Sequence, residues 1–299
     1  MSSEQYQRNT ASPQQDKEVR EGLVMTTRRV VVGVDGSLLA VRALDRAAEE
    51  AALRGAALEI GYAVPDPDEA GPVLQTAVSR ARVRHPGLEV GEPARALADL
   101  GRDAALTVVG SRGFGGFAGL LLGSVSLRLA AYTESPLLVV RRDAHPAEYG
   151  EVLLGIESDE DADASAYAFE EAERRHARLR IVHAWTYRYS APDALVPVPA
   201  TSVQEDINRQ AAAEEAVPGF AVAGLREKHP RVGIETRTVR SGPVHALLNA
   251  TRTADVVVIA SHRRPGEGRY GFQLGHVTRA LLHHAHCSVV VVPSPAEES

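Results

Sequence analysis

Glycines are unusually dense in the segment VVGSRGFGGFAGLLLGS, residues 108–124, which follows an apolar run and ends at a predicted helix start marked by a serine. Glycine lets the backbone approach a ligand closely and adopt a positive φ angle. N–H groups just ahead of a helix start attract an anion. The segment therefore predicts an anion-binding loop, because a loop that only turns needs one or two glycines.

A carboxylate follows a second apolar run, in the segment GVDGS at residues 33–37. In an open parallel sheet, ligands bind beyond the carboxyl ends of the strands, at the point where the winding direction reverses. If the two apolar runs form neighbouring strands at that point, Asp35 and Gly110 face one crevice. The elements that would position these residues can be inferred from a repeat in the chain.

The chain repeats itself, so two copies of one structural unit are expected. Matching segments are 28–37 with 151–160, 57–64 with 178–185, 105–113 with 255–263, and 121–140 with 273–292. The repeats predict a first domain at 28–143 and a second at 150–294. The preceding tail, 1–27, is rich in Gln, Ser and charged residues and is predicted to be disordered.

Each repeat alternates apolar, strand-like runs with amphipathic helical segments, a pattern typical of a parallel, doubly wound α/β sheet with helices on both faces. The first helical segment is expected to begin after Ser37 as N-cap and to end at Gly55. Repeat 1 is shorter than repeat 2 in its middle. Its second helix and third strand are therefore expected to be stunted.

The composition narrows the function classes. The formal net charge is −6, which argues against bulk affinity for nucleic acid. No apolar run is long enough to span a bilayer, so no membrane partner is expected. The single cysteine, Cys287, cannot form an internal disulfide and fits a reducing, cytoplasmic location.

The spacing G-x2-G-x9-G-S, formed by Gly110, Gly113, Gly123 and Ser124, together with GVDGS upstream, resembles the universal stress protein family. The resemblance is to the tandem, ATP-binding form and covers nearly everything from 27 to 293. It implies a five-stranded parallel sheet in each domain, with strand order 3-2-1-4-5. It also implies that ATP or another adenine nucleotide binds in the crevice, with Mg²⁺ as a candidate companion ion.

The resemblance assigns a set of nucleotide-binding residues to this chain. They are Gly33, Asp35, Ala63, Gly110, Ser111, Arg112, Gly113, Gly123, Ser124 and Val125. Asp35 is expected to contact the nucleoside or its metal, and Ala63 the adenine through its backbone. The segment 110–113 is expected to line the ribose and phosphates. The segment 123–125 is expected to offer N–H groups and the Ser124 hydroxyl to the phosphates.

The second repeat departs from this pattern. Glu157, Ala260, Arg263 and His276 stand where the first repeat has Asp35, Gly110, Gly113 and Ser124. One good site in the first repeat and a weak or silent one in the second are therefore expected.

Other motifs favour different chemistry less well. The run GFGGFA at 113–118 matches a dinucleotide pattern but does not follow the first strand of a unit, and no P-loop motif occurs. The run HHAHC at 283–287 is a candidate zinc site, but it also fits a helix end before a buried strand. Trp185 is expected to pack in a loop or to plug the second crevice.

No nucleophile–base constellation is present in the sequence, so the chain is expected to bind nucleotide and not to be an enzyme. Two alternatives remain open. One is a weak ATP hydrolase. The other is a nucleotide-independent interaction module that forms a homodimer through its last strands, LLVV at 137–140 and SVVVV at 288–292. Pairing of the two domains within one chain is expected in addition.

Overall fold

The structure is a computed structural model that describes residues 28–62, 70–91, 97–111, 122–141, 149–187, 200–261, 264–265 and 272–294. The tail expected to be disordered, 1–27, lies outside these residues. So do most of the glycine loop, 112–121, and the segment 142–148 between the repeats. The described residues up to 141 are called the first half, and those from 149 onward the second half.

The first half alternates strands and helices along the chain. Its described elements are β1 (Arg29–Val34), α1 (Leu38–Arg54), β2 (Ala57–Tyr62), α2 (Ala70–Arg84), β3 (Val90–Gly91), α3 (Leu97–Gly101), β4 (Leu106–Gly110), α4 (Ser124–Tyr132) and β5 (Leu137–Val140). Helix α1 has the ends that its sequence predicts. The Ser37 hydroxyl accepts a hydrogen bond from the Ala40 amide at 3.2 Å, and Gly55 adopts a left-handed φ of 58°.

The second half follows the same order, with an added two-stranded ribbon. Its described elements are β6 (Glu151–Ile156), α5 (Ala162–Arg174), β7 (Arg178–Trp185), α6 (Ala200–Lys228), β8 (Ile234–Arg240), α7 (Pro243–Ala250), β9 (Val256–Ser261), β10 (Arg264–Pro265), β11 (Phe272–Gln273), α8 (His276–His284) and β12 (Ser288–Pro293). The expected stunting of repeat 1 is confirmed, because β3 has 2 residues where β8 has 7. Likewise α2 has 15 residues where α6 has 29.

Ten of the described strands form one continuous sheet in the order β3-β2-β1-β4-β5-β12-β9-β6-β7-β8. Each half contributes five strands that read 3-2-1-4-5 in their own chain order, and within this sheet all pairs inside a half are parallel. The expected strand order is therefore confirmed. The two five-stranded sheets are, however, joined edge to edge.

Helices cover both faces of the sheet. Helices α1, α2, α5 and α6 pack on one face, over a core that includes Val32, Leu44 and Phe169. Helices α3, α4, α7 and α8 pack on the other, over a core that includes Val31 and Leu281. Burial on both faces explains why the strands are apolar throughout and do not alternate.

The halves meet where β5 pairs with β12 in antiparallel register. Leu138 lies opposite Val290, and these two residues are equivalent in the repeats, so this pair marks an internal two-fold axis. The apolar strands that the sequence offered for a homodimer thus pair with each other inside one chain. This corrects the interaction-module alternative, because neither strand is left as an open sheet edge.

A buried ionic cluster joins α1 to α5 and the residue just after it. We call Glu50, Arg54, Glu171 and Arg175 the ionic quartet. Arg54 bonds Glu50 and, at 2.6 Å, Glu171; Arg175 bonds Glu50 and, also at 2.6 Å, Glu171. Glu171 is the repeat equivalent of Glu50, and Arg175 is that of Arg54. The quartet is therefore related by the same internal two-fold axis.

The charges of the quartet are matched despite their burial. Glu50 is fully buried, and Glu171 is 1% exposed. Burial alone raises the pKa of Glu50, but the positive charges of Arg175, Arg46 and Arg54 outweigh it and lower the pKa to about 2. The Tyr167 hydroxyl accepts from Arg54 at 2.9 Å, and burial raises the pKa of that phenol. The interface between the halves therefore includes a buried ionic cluster on this face of the sheet.

Candidate functional site

Strands β1 and β4 are neighbours, as the sequence analysis required. Val30 pairs with Leu106 and Val32 with Val108, while β2 lies on the other side of β1. The chain therefore reverses its winding direction between β1 and β4, where a parallel sheet opens a crevice at the carboxyl ends of its strands. Asp35 follows β1 at this edge, and Gly110 is the last residue of β4.

The Asp35 side chain is held at the start of α1. Its Oδ1 atom accepts a hydrogen bond from the Ser37 amide at 3.0 Å, and the side chain is half-buried. Gly36 between them has a φ of +81°, which L side chains rarely adopt. The turn thus fixes a carboxylate at the carboxyl edge of the sheet.

The two ends of the glycine loop are tied together. The Gly123 amide donates to the Ser111 carbonyl at 2.8 Å, and the Ser111 amide donates to the Val140 carbonyl at 2.9 Å. The buried Ser126 hydroxyl donates to the Gly110 carbonyl at 2.7 Å. These bonds place the amino end of α4 directly beside the end of β4. The Gly123 amide already has an acceptor in the protein.

Helix α4 begins in a way that suits an anion. Its N-cap, Gly123, makes no side-chain capping bond, and its first turn contains no acidic residue. Ser124 and Val125 are exposed. The first N–H groups of a helix have no acceptor within the helix, and this end carries the positive pole of the helix dipole. The amides of Ser124 and Val125 are therefore suited to bind negative oxygens.

The structure brings together six of the ten residues assigned from the sequence. At the carboxyl edge of β1 and β4 lie Asp35, Gly110, Ser111, Gly123, Ser124 and Val125. Ala63, Arg112 and Gly113 lie outside the described residues.

The remaining assigned residue, Gly33, lies inside β1 and makes room for α3. A Cβ atom there would stand 2.4 Å from the Leu97 Cδ2 atom. The second half repeats this arrangement, since a Cβ atom on Gly155 would stand 3.0 Å from Leu247 Cδ2. Because the half with the degenerate motif keeps the same glycine–leucine contact, helix packing alone accounts for the missing side chain of Gly33, and its assignment to the nucleotide site stays a prediction.

Gly33→Ala should lower the free energy of unfolding by about 1–3 kcal/mol, because the new methyl group forces the buried Leu97 side chain to move. Urea denaturation measures the loss. Gly87→Ala is the matched control, since nothing lies within 4 Å of a Cβ atom there. If Gly33 acts through packing alone, nucleotide affinity of the folded variant stays unchanged; a large drop in affinity with unchanged stability would contradict that role.

Comparison with known proteins matches the chain to one family. The model of the universal stress protein family matches residues 26–89, 79–141 and 148–293. The chain belongs to the universal stress protein family.

Curated relatives share the tandem organisation of this universal stress protein. One from Mycolicibacterium smegmatis is 31% identical over 294 residues, 88% of this chain and 96% of the relative. Universal stress protein Rv2005c of Mycobacterium tuberculosis is 30% identical over 295 residues, with 88% and 96% covered. The alignments thus run through both repeats.

Solved structures share the fold. A universal stress protein from Archaeoglobus fulgidus superposes with a TM-score of 0.55 at 15% identity, covering 90% of this chain and 99% of that one. A protein of unknown function from Pseudomonas aeruginosa gives a TM-score of 0.59 at 14% identity, with 90% and 93% covered. At such identities the likeness concerns the architecture.

The second half of this universal stress protein is built differently at the equivalent edge. Glu157, which replaces Asp35, is exposed, and its amide donates to the buried Asp161 carboxylate at 2.6 Å. The Ser261 carbonyl, equivalent to that of Ser111, accepts from the Ser294 amide at 3.3 Å. The turn and loop contacts that shape the first crevice are therefore replaced.

A buried histidine that the sequence analysis did not single out lies at this second edge. His183 is 3% exposed; its Nδ1 atom lies 3.1 Å from the Ile156 carbonyl oxygen, and its Nε2 atom lies 2.7 Å from Glu214 Oε2. Glu214 comes from α6, the element that repeat 1 shortens. A polar residue inside an apolar strand was the available signal, but its partner is distant in sequence.

Trp185 is buried, but it is the last residue of β7, so the expectation that it packs in a loop is wrong. It is 7% exposed, and the Arg240 guanidinium lies 5.8 Å from the centroid of its ring. This distance is within the range of a cation–π contact. The tryptophan therefore contributes to the edge between β7 and β8.

Over the described ranges, no group of three or more His, Cys, Asp or Glu side chains is arranged to hold a metal ion. Burial raises the pKa of the Cys287 thiol to about 12, which disfavours the thiolate form that binds metals. Among the helices that the structure describes, none is long and apolar enough to cross a bilayer.

Proposed function

We propose that the first half binds an adenine nucleotide, with ATP as the primary candidate, at the carboxyl edge of β1 and β4. One observation carries the proposal. The bond from the Gly123 amide to the Ser111 carbonyl fixes the amino end of α4 beside the strand next to Asp35. We infer that a positive helix end and a carboxylate border one crevice, and a nucleotide carries groups for both.

The phosphates suit the helix end. The amides of Ser124 and Val125 and the Ser124 hydroxyl are proposed to donate to phosphate oxygens. The Gly123 amide, bonded to Ser111, is proposed to hold the loop closed. The proposed roles of Arg112 and Gly113 are to line the phosphates, and that of Ala63 is to lie against adenine.

The carboxylate suits the sugar or a cation. Asp35 is proposed to accept a hydrogen bond from a ribose hydroxyl or to bind Mg²⁺. Magnesium is commonly bound through one or two carboxylates together with substrate phosphates, so a single aspartate beside a phosphate site fits that ion.

The proposed role is nucleotide sensing or regulation. Hydrolysis of ATP requires a group that positions or activates water. The sequence offers no nucleophile–base constellation. Nucleotide binding therefore needs no group beyond those already named, whereas ATP hydrolysis would need one that activates water.

The test begins with freshly purified full-length protein, denatured to release and quantify any bound nucleotide. Thermal unfolding is then followed with ATP, AMP or NADH. A specific ATP site should raise stability by about 2.7 kcal/mol at a hundredfold excess over the Kd, with a smaller effect from NADH. Absence of both released nucleotide and an ATP-dependent shift would overturn the proposal.

A further inference from the structure

The backbone hydrogen-bond pattern of helix α6 is interrupted within the helix. Pro218 lies inside the helix and has no N–H group to donate to the carbonyl four residues earlier, which is that of Glu214. Pro218 itself and Val222, one turn later, are buried. Before Pro218, none of the described side chains from 201 to 217 is buried. We call residues 201–214 the arm and residues 218–228 the base of α6.

The arm is bonded to the sheet at its hinge end. Glu214 Oε2 lies 2.7 Å from His183 Nε2, and the other ring nitrogen of His183 lies 3.1 Å from the Ile156 carbonyl oxygen. The second carboxylate oxygen of Glu214 accepts from Gln210 within the arm at 3.3 Å. The His183 ring therefore connects the arm to the end of β6.

The two contacts of the ring fix the number of protons in the pair. A carbonyl oxygen only accepts, so Nδ1 of His183 must carry a proton. A carboxylate oxygen also only accepts, so a second proton must lie between Nε2 and Glu214 Oε2. The two contacts together need two protons, whereas a neutral imidazole beside an ionised carboxylate has only one. The bond at 2.7 Å is complete only while the extra proton is present.

Several charged groups on the elements packed against the arm bond to residues other than His183, and the carboxylates of Asp159 and Glu160 on the neighbouring turn are exposed. On the turn after β6, the Asp161 carboxylate accepts from the amides of Glu157 and Ser158. On β8, Arg237 donates to Glu235 at 2.7 Å.

At the end of β8, Arg240 lies over Trp185. The residue of β8 opposite His183 is the uncharged Thr238. Glu214 is therefore the charged group directly bonded to this histidine.

We propose that the arm of α6 is a proton-dependent latch, held on the second half by the doubly protonated His183–Glu214 pair and released at the Pro218 hinge when that proton is lost. A pair that binds an extra proton in the closed state stabilises that state at low pH and loses the effect as pH rises. Release breaks the bond to His183, which lies beside the carboxyl end of β6, the counterpart of the end of β1 at the proposed nucleotide crevice. The latch is independent of whether the first half binds nucleotide.

Hydrogen exchange of the full-length protein tests the latch, with rates corrected for their intrinsic pH dependence. Protection of the arm should fall about tenfold or more as pH rises and the pair loses the shared proton. The base of α6 is the internal reference and should keep its protection. ¹⁵N spectra of the histidine side chains should show both His183 nitrogens protonated at the lower pH.

Two substitutions separate the latch from general loosening. Glu214→Gln supplies an amide that can donate to Nε2 of neutral imidazole, so the arm should stay protected at every pH. Glu215→Gln removes the same charge from the exposed neighbouring residue and should behave as the unmodified protein. Equal pH profiles for the unmodified protein and Glu214→Gln would overturn the proposal. So would an arm whose protection is unchanged while His183 loses its charge.

Discussion

Glu50→Gln should lower the free energy of unfolding at pH 7 by about 3–5 kcal/mol, the usual cost of breaking a buried ion pair from one side. Glu50 is fully buried and receives bonds from Arg54 and Arg175, so its neutralisation leaves two guanidinium groups short of a counter-charge between the halves. Urea denaturation at pH 7 measures the change.

Glu49→Gln is the matched control for this variant. Glu49 precedes Glu50 on the same helix, but its side chain is 46% exposed and its contact with Arg46 spans 3.5 Å. An exposed pair of this kind contributes about 0–1 kcal/mol. Equal losses for the two variants would contradict the importance assigned to the ionic quartet.

Acid should remove the difference between the Glu50→Gln variant and the unmodified protein. The pKa of Glu50 falls from 4.5 to about 2 in the folded protein, because the surrounding arginines outweigh the effect of burial. At 1.36 kcal/mol per unit this corresponds to about 3 kcal/mol. The stabilisation is complete above the unfolded pKa and is lost as pH falls through the folded one. Denaturation series between pH 5 and pH 2 should therefore converge, and a constant difference would contradict this origin.

Asp35→Ala should weaken ATP binding by at least tenfold, because a hydrogen bond to a charged group contributes about 1.5–3 kcal/mol. The same change removes the acceptor of the Ser37 amide and should cost about 1 kcal/mol of stability. Isothermal titration with ATP and Mg²⁺ measures affinity, and urea denaturation measures stability. The two effects can thus be assigned separately.

Two further variants test the role of the Asp35 charge and the placement of the site in the first half. Asp35→Asn keeps an oxygen that accepts from the Ser37 amide but removes the negative charge. Its free energy of unfolding should stay unchanged, while its affinity for ATP in the presence of Mg²⁺ should fall. Glu157→Ala makes the equivalent deletion in the second half and should leave ATP affinity unchanged. If Glu157→Ala and Asp35→Ala weaken binding equally, the nucleotide site is wrongly placed in the first half.

Local sequence rules predicted the elements well. Apolar runs marked the central strands, and the ends of α1 followed from Ser37 as a cap and Gly55 as a left-handed stop. The short β3 followed from the length difference between the repeats. Such features depend on neighbouring residues, so a single sequence contains them. The position of Asp35 beside β4 required only the winding rule for parallel sheets.

Contacts between distant residues were not predictable in the same way. Leu137–Val140 is an apolar strand that could pair with another molecule or, as found, with β12. Glu50 and Arg54 have the spacing of an ordinary exposed helix pair. Their burial follows from the approach of α5, although the recurrence of Glu and Arg at the repeat offset was a usable signal.

Gly33 and His183 illustrate what local sequence patterns do not predict. Its place in the GVDGS motif suggested a ligand, whereas the nearby Leu97 side chain gives it a packing role. His183 and Glu214 are 31 positions apart, and no spacing rule connects them. Both cases depend on which helix covers a strand, which local patterns do not specify.

The antiparallel pairing of β5 with β12 has a consequence for behaviour in dilute solution. Two universal stress domains on separate chains would dissociate as their concentration fell, because their encounter obeys mass action. Covalent linkage makes the encounter intramolecular and replaces bulk concentration by an effective one set by the tether. The two halves of this protein therefore stay assembled however few copies a cell contains.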